Sequence, residues 1–519
     1  MGRFRSGGRR RAAALVAVGA LAAGSLAAGP VAAVPAPPGP HIRWGGDCPE
    51  RPVPSGLECG TLTVPLDHAA PAKGTVDLAL ARIPAAGPQR RGSLLLNFGG
   101  PGAPGIATLA DVHREFADLG EAYDLVTFDP RGVGHSAPVS CGGALRDGPP
   151  APDDDVDAPE APTAAAKLAA LRLVAERCAQ HSGPVLPYIG TIHVARDMDL
   201  IRQALGEDRL DYLGFSYGTR LGAAYAAQFP QRTGRMALDG VDTLSESLAE
   251  QALVSAKGQQ QALDNFLSWC ARRSDCVYGT NTRTAKEKVR ALVARLDRSP
   301  LTGPDGASFT GQDIIGAIAT GLYSTAQWPA LARGLRLAER QGDPAGLLEV
   351  GGPTDPEPEE DPAVDGSDPV PDDNGEAALV AVNCADDPGR GKDAASPEAV
   401  EKEIEALKGE FRKASRIFGP SQLMTVLSCY GRPPGTDFIR KIDRPGAPRM
   451  LLVGTRGDPA TPYQWTEETA RLLGSAAILD HKGDGHTGYA GSGCVRGRVN
   501  AFLIDGELPN GTQSCPAED

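Results

Sequence analysis

The stretch Leu-Asp-Tyr-Leu-Gly-Phe-Ser-Tyr-Gly-Thr, residues 210–219, runs an apolar segment straight into a serine flanked by Gly214 and Gly218. A buried strand that turns at once into a helix puts its turning residue in a strained conformation, and neighbouring backbones can close on it only where flanking side chains are absent. The spacing predicts a strand over 210–215, a sharp turn at Ser216 and a helix over 217–228. The first turn of that helix aims backbone N–H groups at the serine and favours negative charge there. Such a serine stands at the carboxyl edge of a sheet, where α/β proteins bind ligands. A Gly-x-Ser-x-Gly run by itself also describes a tight turn with a surface serine, so the rest of the chain has to decide.

Outward from this turn, short apolar runs alternate with helical patterns. Thr75–Arg82, Ser93–Asn97, Leu125–Phe128, Leu210–Gly214, Arg235–Leu238, Met450–Gly454 and Ala476–Leu479 read as strands. Several are continuously apolar, as strands buried on both faces are, which predicts an α/β architecture with a mostly parallel sheet. From about Ser245 to Cys429 the texture is helical, with patterns at 251–272, 284–296, 313–322, 328–340 and 399–411. The expected organisation is a leader at 1–33, the first part of a sheet domain at 34–244, a helical insertion at 245–429, and the rest of the sheet domain at 430–519. Residues 353–374 hold nine acids and 147–162 are rich in Asp, Pro and Ala, so both read as solvated loops.

The chain has 519 residues, enough for more than one core. Arg3, Arg5, Arg9, Arg10 and Arg11 precede a small-apolar run from Ala12 to Ala28, and Val31-Ala32-Ala33 gives the small-x-small pattern of a signal-peptidase site. This predicts export; an uncleaved anchor is the alternative, and Arg10-Arg11 leaves a twin-arginine route open. The formal charge is −13, and losing the five leader arginines takes it to roughly −18, which argues against nucleic acid or an anionic membrane as partner. Ten cysteines (Cys48, Cys59, Cys141, Cys178, Cys270, Cys276, Cys384, Cys429, Cys494, Cys515) in an exported chain predict five disulfides. Sequence neighbours are natural pairs, although sequence does not fix the connectivity. No Cys-x-x-Cys pair exists and the eight histidines are scattered, so no metal or cofactor is implied.

A serine hydroxyl needs a base, and the base needs an orienting acid. In a strand-turn-helix nucleophile fold the chain order is serine, acid, histidine. Asp458 follows the strand that starts at Met450, and His486 follows the strand that starts at Ala476, so both fall in loops at strand ends and in the right order. His481 and Asp239 are rivals for the base and acid, and Asp484 reads as a turn residue. The oxyanion of acyl transfer needs preformed donors. Tyr217 N–H is one; the loop Asn97-Phe98-Gly99-Gly100-Pro101-Gly102 offers another, at Gly100 or alternatively at Gly99.

These segments together resemble one family. Gly-Gly-Pro-Gly at 99–102, Phe-Asp-Pro-Arg-Gly-Val-Gly-His-Ser at 128–136, Gly-Phe-Ser-Tyr-Gly-Thr at 214–219, Gly-Asp-Pro-Ala-Thr-Pro at 457–462 and Gly-Asp-Gly-His at 483–486 are similar to motifs of the secreted tripeptidyl aminopeptidases of actinomycetes. The resemblance spans nearly the whole mature chain. It implies an α/β-hydrolase fold with a helical cap, and a serine exopeptidase that releases short peptides, typically tripeptides, from free N-termini. Ser216, Asp458 and His486 then take the triad positions. The glycine loop reads Asn-Phe-Gly-Gly-Pro-Gly where related prolyl aminopeptidases commonly have His-Gly-Gly-Pro-Gly, which weakens any expectation of proline-restricted specificity. Asp129-Pro130-Arg131-Gly132 reads as a buttress. Recognition of a free ammonium calls for carboxylates, and Asn383-Cys384-Ala385-Asp386-Asp387 offers Asp386 and Asp387, although either can simply cap the turn before Pro388. An esterase on the same scaffold, or a non-catalytic secreted binding protein, are the alternative readings.

Overall fold

The computed structural model describes residues 39–519 apart from 50–52, 146–163, 305, 352–368, 388–395, 433–435, 438–445, 475 and 519. The leader, the 147–162 stretch and most of the acidic stretch 353–374 therefore lie outside the described residues. Ten strands build one sheet: β1 (Arg43–Gly46), β2 (Glu58–Pro65), β3 (Thr75–Ile83), β4 (Gly92–Asn97), β5 (Tyr123–Phe128), β6 (Leu210–Phe215), β7 (Thr233–Asp239), β8 (Leu451–Gly457), β9 (Ala477–Asp484) and β10 (Thr512–Cys515). Their spatial order is β1-β2-β3-β5-β4-β6-β7-β8-β9-β10. Pairing is antiparallel from β1 to the β3–β5 contact and parallel from β5 to β10. This is the α/β-hydrolase sheet, and all seven strands expected from the sequence are in it.

Period-two alternation explains why the central strands read as unbroken apolar runs. On β4, Leu95 packs with Val126 and Tyr212 on one face, whereas Leu94 and Leu96 pack with Leu213 and Val453 on the other. The three strands that the apolar runs do not mark lie at the sheet's ends. In β2, Leu62 and Val64 turn inward between exposed or half-exposed threonines, and in β10 the sequence Thr-Gln-Ser-Cys buries only Cys515. β9 is longer than expected. It runs to Asp484, so His481 sits inside the strand, not in the loop after it.

The helix α1 (Tyr217–Gln228) follows Ser216 directly. Between β7 and β8 lie α2 (Leu248–Ala271), α3 (Thr282–Arg298), helices at Gly311–Gly321, Trp328–Gln341 and Ala345–Gly351, then α4 (Asn374–Asp386), α5 (Pro397–Ala414) and α6 (Gly419–Leu427). Phe266, Leu292, Ile318 and Trp328 belong to a core of their own, separate from the two faces of the sheet. Helix starts fall earlier than apolar periodicity suggests because capping sets them. Ser247 and Glu250 form a reciprocal capping box that opens α2 at Leu248 instead of Gln251, and Thr310 with Asp313 opens the next-but-one helix at Gly311 instead of Asp313.

All ten cysteines are bridged, each to its sequence neighbour: Cys48–Cys59, Cys141–Cys178, Cys270–Cys276, Cys384–Cys429 and Cys494–Cys515. Such a set belongs to an oxidising compartment. Among the described residues no helix is long and apolar enough to cross a membrane.

Candidate active site

Ser216 carries φ 53° and ψ −124°, a conformation that non-glycine residues rarely adopt, and it links β6 to α1. The strain is held in place from both sides. The Ser216 N–H donates to the Asp239 carbonyl at 2.9 Å, and its own carbonyl accepts from Thr219 N–H at 2.8 Å and Thr219 Oγ1 at 2.7 Å. The flanking glycines are required by space. A Cβ at Gly214 would lie 2.6 Å from the Gly218 carbonyl oxygen, and one at Gly218 would lie 2.7 Å from the Asn97 carbonyl oxygen.

His486 and Asp458 stand on the loops after β9 and β8. His486 Nδ1 lies 2.9 Å from Asp458 Oδ1 and 3.0 Å from Oδ2. Asp458 is 2% exposed and also accepts from Ala460 N–H, Thr461 N–H, Thr461 Oγ1 and Thr487 N–H. A carboxylate so surrounded by donors is the acceptor toward the imidazole, so Nδ1 carries the proton and Nε2 keeps a lone pair. Burial alone pushes the His486 pKa down, but the charge of Asp458 and its hydrogen bond outweigh it and raise the pKa above the ordinary value. The pair can accept and return a proton.

The rival residues have other tasks. Asp239, fully buried, accepts from Gly488 N–H and Tyr489 N–H at 2.8–3.0 Å, so it holds the backbone beyond His486 and not the imidazole. Burial lifts its pKa to about 6. His481 is buried against Thr455 Oγ1 at 3.1 Å, and Asp484 accepts from Asn265 Nδ2 at 2.6 Å. Arg131 is buried and grips Asp197 in a bidentate pair at 2.7 Å while donating to the Leu66 and Pro65 carbonyls. It ties helix Thr191–Ala204 to the β2–β3 connection.

Two backbone donors are candidates for holding an oxyanion beside the serine. Tyr217 N–H is at the first position of α1, where no intrahelical acceptor exists. In the glycine loop, Asn97 Oδ1 accepts from Gly99 N–H at 3.1 Å, which occupies that donor. Gly100 N–H has no partner among the described residues, and Gly100 and Ser216 line one cleft of about 190 Å³. The loop sequence pointed to Gly100 with Gly99 as the alternative, and the Asn97 contact favours the same residue.

The cleft also shows what the sequence did not. Asn383-Cys384-Ala385-Asp386 is the last turn of α4, not a loop. Asp386 is 8% exposed, and its oxygens accept from Thr191 N–H at 2.9 Å and Thr191 Oγ1 at 2.5 Å. It lies behind Arg220, 3.8 Å from Nη1, and burial raises its pKa despite that neighbour. Asp387 Oδ1 accepts from Leu248 N–H at 3.4 Å. Neither lines the cleft, whereas Asn383 and Asp242 do. Asp242 pairs with Arg220 Nη2 at 3.0 Å, so one guanidinium stands between two acids and the corner carries net negative charge. Glu246, bonded to Trp465 Nε1 at 2.8 Å, stands near Asp242 but adds only part of a charge at neutral pH, because burial lifts its pKa to about 7. The signal for Asp242 was its place three residues after β7, beside Asp239. Tyr323, at the end of a helix in the β7–β8 connection, also lines the cleft and had no sequence signal.

Residues 415–515 match the protein family described as "TAP-like protein". The chain is 33% identical over 482 residues to the serine protease Hip1 of Mycobacterium tuberculosis, covering 90% of this chain and 89% of the relative. It is 30% identical over 488 residues to the tripeptidyl aminopeptidase of Streptomyces coelicolor, covering 90% and 84%. A carboxylesterase B of Mycobacterium tuberculosis is 33% identical over 468 residues, covering 88% and 86%.

Proposed function

The chain belongs to the tripeptidyl aminopeptidase family of α/β-hydrolase serine peptidases, and we propose that it is an exported exopeptidase that releases short peptides, tripeptides first among them, from free N-termini. The observation that carries the reading is the His486–Asp458 pair at 2.9 Å, on the loops beyond β9 and β8, together with the strained Ser216 turn, which shares one cleft with Thr461 of the Asp458 loop. Ser216 Oγ attacks the scissile carbonyl and its proton passes to His486 Nε2. Gly100 and Tyr217 N–H groups hold the oxyanion. The tetrahedral intermediate collapses, the leaving amine takes the proton from His486, and water then hydrolyses the acyl-enzyme by the same route. Asp458 keeps the proton on Nδ1 and steadies the imidazolium. No metal or cofactor enters these steps.

The helices between β7 and β8 act as the cap, since Gln251, Tyr323, Asn383 and Gln422 from that segment line the Ser216 cleft. The substrate's ammonium meets the acid corner at Asp242. Export rests on the arginine-rich leader and the five disulfides. The carboxylesterase relative supports a second reading, an esterase, because the triad does not read the leaving group.

One assay separates them. Purified mature protein is given fluorogenic tripeptides with a free amine, the same peptides N-acetylated, and simple esters, with Ser216→Ala as control. Cleavage of the free-amine peptides in one three-residue step is the expected result. Equal turnover of acetylated peptides would remove the N-terminal requirement, and faster turnover of esters would favour the esterase.

A further inference from the structure

Next to the catalytic cleft, along the helices that roof it, lies a second groove, of about 860 Å³. The two share walls. On α2, Gln259 lines the cleft and Gln260 the groove; on and around α6, Gln422 lines the cleft and Pro420 the groove. Gln422 Nε2 donates to Gln259 Oε1 at 3.2 Å and Ser415 Oγ donates to Gln260 Oε1 at 2.8 Å, so the seam between them is closed by side-chain hydrogen bonds.

The groove is basic in an acidic protein. Lys286, Arg290, Arg412, Lys413 and Arg416 line it, against Glu287 as the one acid among its described lining residues. The chain as a whole is at −13, yet α3 alone holds six basic and two acidic residues. Lys286 is paired with Asp264 at 2.9 Å. Arg290, Lys413 and Arg416 are exposed and take part in none of the ion pairs among the described residues. Part of this charge suits the carboxyl end of α5, where cations are favourable. That accounts for Arg412 and Lys413 but not for Arg290, which faces the same space from another helix.

We propose that this groove is an exosite for the body of the polypeptide substrate and selects chains with acidic residues downstream of the cleaved bond. The inference rests on the exopeptidase reading. The molecule then offers a substrate two fields of opposite sign: an acid corner at Asp242 for the ammonium of the first residue, and a basic groove next to the cleft for the residues beyond the cut. A chain with a positive start and a negative body is oriented by that arrangement before it docks.

The test compares three free-amine substrates: a tripeptide reporter with no tail, and the same tripeptide followed by a tail of about ten residues, ~33 Å extended, rich in either Glu or Gln. Tripeptide release is measured for the wild type, R290E/K413E/R416E and the neutral R290Q/K413Q/R416Q. At low ionic strength the wild type should favour the Glu tail over the Gln tail by roughly three- to tenfold in kcat/KM, through KM. Salt near 0.5 M should erase the preference. The glutamate variant should lose or invert it, the glutamine variant should reduce it, and all three proteins should turn over the short reporter alike. Equal use of both tails by the wild type, or a preference that survives charge reversal, overturns the exosite. Failure of the wild type on the short reporter instead overturns the exopeptidase reading beneath it.

Discussion

The Tyr323 carbonyl accepts the His486 backbone N–H at 2.8 Å, and the two rings meet edge to face with centroids 4.9 Å apart. Tyr323 comes from the helices between β7 and β8, His486 from the loop after β9, so the imidazole proposed as the base is held in part by the segment that lines the cleft from that side. Asn265 on α2 adds a second such contact through Asp484. A large aromatic side chain left 44% exposed in a cleft has a reason to be there when its ring packs against the imidazole proposed as the base.

Tyr323 is therefore a positioning residue. Its ring, not its hydroxyl, makes the contact, so Tyr323→Phe should keep activity near wild type. Tyr323→Ala should lower kcat by roughly tenfold with a smaller change in KM, because a loosened base costs geometry more than binding. The alanine variant should also show a displaced acid limb in its pH profile. An alanine variant with unchanged kcat and pH profile would reduce Tyr323 to a wall of the cleft.

The two candidate acids make opposite predictions. Asp458→Asn leaves the shape but allows the wrong imidazole tautomer, so kcat should fall by roughly 10³–10⁴-fold. The pH sign follows from the His486 pKa, which Asp458 raises above 6.5. The base must be unprotonated, so kcat/KM climbs with pH along a limb that the raised pKa moves to higher pH in the wild type, and any residual activity of the variant should show that limb at lower pH. Asp239→Asn loosens the Gly488 and Tyr489 contacts and should cost stability of about 1–3 kcal/mol with a much smaller effect on kcat. Steady-state pH profiles and thermal melts of both variants decide the assignment.

The sequence carried the sheet and marked three candidate triad residues because both are written locally. Continuous apolar runs mark strands buried on two faces, and Ser216, Asp458 and His486 each follow such a run. What it did not carry depends on contacts between distant segments. Asp386 looked like an available acid because its partners, Thr191 and Arg220, lie 195 and 166 positions earlier in the chain. Tyr323 has no local pattern at all; its role exists only once a helix end meets the loop at His486. β2 and β10 were missed since their few buried side chains, Cys59, Leu62 and Val64 in β2 and Cys515 in β10, make no continuous apolar run. The preference for Gly100 over Gly99 gains a physical reason only from the Asn97 side chain, whose Oδ1 accepts from Gly99 N–H.

Asp242 should control recognition of the amine. Its carboxylate lines the cleft and is the nearer of the two acids to Arg220. Asp242→Asn should raise KM for free-amine peptides by roughly tenfold and leave N-acetylated peptides and esters almost unchanged. Removing one acid also frees Arg220 to repel an ammonium, so the loss should exceed that of Asp387→Asn, whose carboxylate faces Leu248 N–H. Equal losses on acetylated and free peptides would show that Asp242 serves the fold of the cleft and not the ammonium.

The Cys384–Cys429 bridge joins the end of α4 to the residue region just beyond α6, closing a separation of 45 residues. Both flanks belong to the cleft. Asn383 lines it beside Cys384, and Gln422 and Thr425 line it from α6. Asp386, two residues past the bridge, is what backs Arg220. Constraint on the unfolded chain alone gives such a bridge about 2–4 kcal/mol, and here it also fixes two walls of a binding site relative to each other. A Cys384→Ser/Cys429→Ser protein should melt at lower temperature and show a raised KM for tripeptides, while the Ser216–His486–Asp458 end of the sheet, held by β6 to β9, should keep its reactivity towards a small serine-directed phosphonate. Loss of phosphonate labelling together with peptide turnover would mean that the bridge supports the whole fold; retention of both KM and melting temperature would mean that the cleft walls are fixed by packing alone.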